Sequence, residues 1–188
     1  MAAFQVWLVH FLATASPGVA AFMRSKWGWP FAESVHFIGL CLLLSAVVVF
    51  DLRLLGMAKR IPIAALHRLI PFGLIGFAMN ITTGSMFLLT EPDQYIYNPS
   101  FHFKLLFLAT AGLNAMTFYI VPWRRVSALE PSVGTPRSAR IIAAVSLSMW
   151  IGVIVAGRLL TFYRPGPCDR NGPGFLAECI PRPPRPAK

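Results

Sequence analysis

Apolar runs of membrane-spanning length recur along the chain, over residues 33–54, 68–90, 101–122 and 140–162. Each reaches roughly 30 Å as a helix, the thickness of a hydrocarbon core. Backbone in lipid must satisfy its own hydrogen bonds, so the pattern predicts helices. The expected architecture is all-α and integral to the membrane, with four transmembrane helices in an up-down bundle. Residues 1–162 then form a single membrane domain, and 163–188 form a Pro/Gly-rich extramembrane tail.

An earlier apolar stretch, "FQVWLVHFLATASPGVAAFM", is interrupted by Pro17-Gly18 and has no Lys or Arg before Arg24. A signal peptide normally has a basic front. The stretch is read as an interfacial helix over 3–23, with Trp7, Trp27 and Trp29 at headgroup level.

Composition agrees with lipid as solvent. The chain has 188 residues, 13% of them charged, against about a quarter in a soluble domain. Mean hydropathy is +0.61. A net charge of +10 raises nucleic acid as a partner. However, the basic residues lie mostly beside the spans, as expected near anionic headgroups, and no nucleic-acid motif accompanies them. The bilayer is the partner expected. No hydrolase, kinase or nucleotide motif is present, so no stand-alone catalytic activity is expected.

Charge also predicts orientation. The loop after the first span holds Arg53, Lys59 and Arg60, and the loop after the third holds Arg124, Arg125, Arg137 and Arg140. The second loop, "TEPDQYIYNPS", has no Lys or Arg. The first and third loops are therefore expected in the cytoplasm and both termini in the periplasm, across a bacterial inner membrane. Arg158, Arg164 and Arg170 run against this assignment. Cys168 and Cys179, in "CDRNGPGFLAEC", favour it if they form a disulfide, which needs an oxidising compartment. Two unpaired thiols are the alternative. Cys41 reads as a small buried hydrophobe.

Polar groups inside the spans are the candidates for chemistry. Glu33 and Asp51 each fall within about 60° of His36 in helical projection. Asp51 and Arg53 read as an anchor at the end of the first span, with Asp51 in an ion pair. On the second span Gly76, Asn80 and Gly84 recur every four residues beside Thr83, a small-residue face that lets helices approach. Asn114 lies at mid-depth on the third span, so Asn80 and Asn114 are expected to bond to each other or to backbone. On the fourth span Ser148, Gly152 and Ala156 form a packing ridge. His36 and His102 follow the same border of parallel spans, and bis-imidazole ligation of haem b needs two such residues. Glu33, one turn before His36, would fix its tautomer. Copper at His36, His102 and Glu33 is the alternative.

"WPFAESVHFIGL", "DLRLLG", "PFGLIGFAMNITTGSMF" and "FHFKLLFLATAGLNAM" resemble, in order over residues 4–122, a family of small bacterial multi-pass membrane proteins to which no function is assigned. The resemblance implies the same interfacial first helix and four-span core. It carries over His36, Asp51, Arg53, Gly84, Lys104 and Asn114 as motif positions without roles, and His102 departs from its pattern. The leading expectation is a small b-type haem-binding electron-transfer subunit, working with other membrane or periplasmic redox subunits. The alternatives are a metal-ion handling or transport component using His36, Glu33 and Asp51, and a non-catalytic accessory subunit of a larger membrane complex.

Overall fold

The computed structural model describes residues 2–57, 59–129, 133–167 and 179–180. The chain opens with α1 (Ala2–Ala15) and α2 (Pro17–Met23), which meet at a bend of 78°. Pro17 has no amide proton to continue the first helix, so the chain restarts there. Neither arm alone reaches the roughly 30 Å of a hydrocarbon core. The long helices are α3 (Gly28–Leu55), α5 (Ile70–Thr90), α7 (Pro99–Ile120) and α9 (Arg137–Phe162), all long and apolar enough to cross a membrane. Short helices α4 (Ile63–His67), α6 (Pro92–Ile96) and α8 (Trp123–Ser127) fill the connections. The four long helices match the four predicted spans, with α3 beginning five residues earlier than expected.

The end where α3 and α7 begin is called upper here, and the opposite end lower. Helix α3 stops at Gly56, whose φ of 103° is left-handed. The Gly56 amide donates to the Arg53 carbonyl and the Met57 amide to Leu52, which satisfies carbonyls left open at the helix end. At the lower end Phe50, Leu54, Ile63, Leu66, Phe118, Val126, Ala139 and Ala143 form the main buried cluster, joining α3, α4, α7, α8 and α9.

The helices pack as two hairpins, α3 with α5 and α7 with α9, and the hairpins meet along α3 and α9. Helices α5 and α7 make almost no contact along their length. On the first seam Gly39 and Gly76 face each other and Gly73 lies against Ala46. On the second, Gly152 lies beneath the Phe107 ring. The small residues on α5 therefore act as their spacing predicted, letting two backbones approach.

Two expectations, on Cys41 and Asp51, are corrected here, and for the asparagines the backbone alternative holds. Asn80 Nδ2 donates to the Gly76 carbonyl of its own helix at 2.8 Å, and Asn114 Nδ2 donates to the Ile142 carbonyl of α9 at 3.0 Å. The amides thus serve different hairpins and do not meet. Cys41 is exposed, facing away from the helix seams. Asp51 forms no ion pair among the described residues; it is buried, and one of its carboxylate oxygens has no hydrogen bond.

Beyond α9, β1 (Gly166–Pro167) pairs in parallel with β2 (Cys179–Ile180). Cys179 is disulfide-bonded. Cys168, with which it was expected to pair, lies outside the described residues, as does most of the tail.

Candidate functional site: two chambers between the hairpins

Because α5 and α7 stand apart, space remains between the hairpins. It forms two chambers stacked along the bundle. The upper has a volume of about 460 Å³ and the lower about 280 Å³. Leu43, Phe77, Leu108 and Trp150 line both.

His36 is placed in the upper chamber by α3. Its Nδ1 lies 2.7 Å from the Thr83 hydroxyl on α5. That hydroxyl also lies 2.7 Å from the Met79 carbonyl, to which it donates. Its single proton is therefore used, and it accepts from His36 Nδ1–H. In neutral imidazole this leaves the Nε2 lone pair for the chamber. Thr83, not Glu33, fixes the tautomer: Glu33 is exposed at the chamber rim and forms no hydrogen bond with His36. Phe87 packs edge-on to the imidazole at 5.7 Å and Trp29 packs on Phe87 at 5.0 Å.

Lys104 on α7 lines the same chamber. Its ammonium passes 3.8 Å from where a Cβ on Gly157 would stand, so the glycine leaves room for the lysine stem. Lys104 forms no ion pair or hydrogen bond with a described residue. Arg158 lies over the Phe162 ring at 4.7 Å and, with Arg164, lines the upper rim. Three cations thus face one lining acid, Glu33. Above the spans, burial pushes the Tyr95 phenol up to about 12; Arg164 acts against that rise, and Glu91 and Glu33 add to it.

Asn98 closes this end of the bundle. It is fully buried, its Oδ1 accepts from the Ser100 amide at 2.9 Å, and its Nδ2 donates to the Tyr163 carbonyl at 2.7 Å. One side chain thereby caps α7 and ties it to the end of α9.

The structure does not bring His36 and His102 together. His102 is exposed and lines neither chamber. A haem in the upper chamber would find the Nε2 of His36 on one face and no second imidazole opposite, so the residues do not fit bis-histidine ligation. Copper at His36, His102 and Glu33 meets the same obstacle, and no cluster of three or more metal-ligating His, Cys, Asp or Glu occurs among the described residues.

The lower chamber is apolar apart from Asp51, Asn114, Tyr119 and Ser146. Ser146 on α9 lines the chamber with Asp51. Arg53 turns away from Asp51, its Nε donating to the Ile61 carbonyl at 2.8 Å and its Nη2 to Lys59 at 3.1 Å. It therefore anchors the lower loop. His67 is placed outside both chambers, tilted against the Trp123 ring at 4.5 Å with its Nε2 3.3 Å from the Tyr119 hydroxyl.

Sequence reasoning missed the site role of Lys104, Arg158 and Arg164. A lysine within an apolar span was itself the available signal, since such charges are costly in lipid and face protein or cavity. Comparison of the chain with protein-family models, with curated proteins and with solved structures found no match.

Proposed function

We propose that this multi-pass protein binds an amphipathic anion in its upper chamber, with the head group at Lys104 and the tail against the apolar walls. The observation that carries this reading is the Lys104 ammonium, which faces the chamber without a described partner. A cation at this depth is stabilised by an opposite charge that arrives with a ligand. Arg158 and Arg164 add to the attraction, and the Nε2 of His36 suits a hydroxyl or a protonated phosphate oxygen on the same head group. Trp29, Phe87, Phe101 and Trp150 offer apolar surface to the rest of the molecule. The volume lies within the range of small-molecule pockets, about 300–1,000 Å³.

The upper end is periplasmic in this reading, in a bacterial inner membrane. Support comes from the basic residues at the lower end, namely Lys59, Arg60, Arg68, Arg124, Arg125, Arg137 and Arg140. An impermeant thiol reagent applied to cells should label Glu91→Cys and spare Arg60→Cys. Electron transfer through haem b, and copper handling, find less support because His102 is outside the chambers.

The binding test uses purified protein in nanodiscs and a dansyl-labelled long-chain alkyl phosphate. A charge-assisted hydrogen bond contributes roughly 1.5–3 kcal/mol, so Lys104→Gln should weaken binding by about tenfold or more, while Lys104→Arg retains most of it. Equal affinity of native protein and Lys104→Gln rejects the reading.

A further inference from the structure

We infer that the lower chamber is a second binding site, opposite in polarity to the upper, for a lipophilic ammonium ion: a protonated amine on an apolar body. Asp51 is the group that would hold it. Its side chain is 6% exposed, it lines the chamber, and its Oδ2 has no hydrogen-bond partner. Ser146 lines the chamber from α9, and the unpartnered carboxylate oxygen is left for a donor inside the chamber. No Lys, Arg or His is among the lining residues; the neighbouring Arg53 gives its Nε and Nη2 to the lower loop, and its buried Nη1 bonds neither the loop nor Asp51. A buried carboxylate with this surplus of acceptor capacity matches a charged donor.

The walls define the rest of the ligand. They are almost wholly apolar, and the 280 Å³ volume suits a small body. Access is lateral. Leu74 on α5 lines the chamber and is 63% exposed, and Gly112 lines it from α7. A Cβ built on Gly112 meets nothing within 4 Å, so the wall is open there. The ligand therefore comes from the bilayer, between α5 and α7, which selects amines that partition into lipid.

The test compares two probes on the full chain in nanodiscs: N-(6-aminohexyl)dansylamide, whose free terminal amine is protonated, and its form acetylated at that amine, which is neutral there. Saturable binding is taken as the part displaced by excess unlabelled hexylamine. Native protein should bind the ammonium probe at least about tenfold more tightly, as a charge-assisted bond implies. Asp51→Asn should remove that preference, and Lys104→Gln should leave it unchanged, which separates this site from the upper chamber. Gly112→Phe adds a side chain at the open wall, where its Cβ meets nothing within 4 Å, and should reduce binding of the ammonium probe. Equal binding of the two probes by native protein overturns the proposal, whether or not Asp51→Asn folds. A preference that survives Asp51→Asn also overturns it, and unaltered binding by Gly112→Phe overturns the lateral access.

Discussion

Gly39 and Gly76 face each other so closely that a Cβ on Gly76 would run into the Gly39 carbonyl oxygen and lie 2.7 Å from the Leu43 amide nitrogen. Both obstacles are backbone, which has no rotamer to move. Gly76→Val should therefore part α3 from α5, at a cost of about 1–3 kcal/mol, the usual range for overpacking. Gly84→Ala is the control, because the nearest atom to its new Cβ is His36 Cε1 at 3.9 Å. Unfolding of both variants in bicelles checks this, and equal stability of Gly76→Val and native protein would refute it.

The His36–Thr83 bond holds the same seam one turn nearer the upper end. Thr83→Val keeps the shape and removes the acceptor. Stability should fall by about 1 kcal/mol, as is typical for interhelical bonds in lipid. The imidazole nitrogen shifts report the chemistry independently. Native protein should show one tautomer, protonated at Nδ1, and Thr83→Val a mixture. A single unchanged tautomer in the variant would mean that another group orients the ring.

Asn98, itself fully buried, joins the start of α7 to the end of α9 through two hydrogen bonds. Asn98→Ala deletes the cap and leaves the Tyr163 carbonyl without this donor. The loss should be about 1–3 kcal/mol, from the cap and the lost bond between the helices together. Thermal unfolding measures it, and a shift no larger than that of an exposed control such as Ser34→Ala counts against the role.

Tyr95 predicts a pH effect. Burial holds its proton in the folded chain up to about 12, against an ordinary value of 10.0. Between those values the unfolded chain ionises this phenol and the folded chain does not. Its contribution to stability is full below pH 10.0 and is lost as pH rises through that window. Phenolate absorbance of native protein minus that of Tyr95→Phe isolates the group, and a component titrating at the ordinary value would contradict the burial.

The four long helices were legible because lipid imposes length and continuous apolarity, and both survive as runs in the sequence. The early start of α3 was not: Trp29 and Pro30 look like a headgroup anchor, yet a proline in a first turn leaves the helix intact. The glycine face of α5 was legible as a close-contact surface because spacing reports which residues share a side. Spacing does not report which neighbour meets that side. Asn80 and Asn114 were matched by depth, but α5 and α7 belong to different hairpins. His36 and His102 were matched because both follow the same border of parallel spans, but His102 is exposed and lines neither chamber. Lys104 carried the site signal in plain view, as the charge least expected in that run.

Each hairpin joins helices that are consecutive in the chain, whereas the α3–α9 seam joins the first long helix to the last. During synthesis, α3 and α5 hold all they need to pair before α7 has emerged, and α7 waits only for α9. The α3–α9 seam spans the whole length of the core sequence, and it cannot close until α9 has been made. Helices α5 and α7 share almost no seam although they are neighbours in the chain, so the gap that shapes both chambers follows from a pairing pattern that leaves the middle of the chain unclosed.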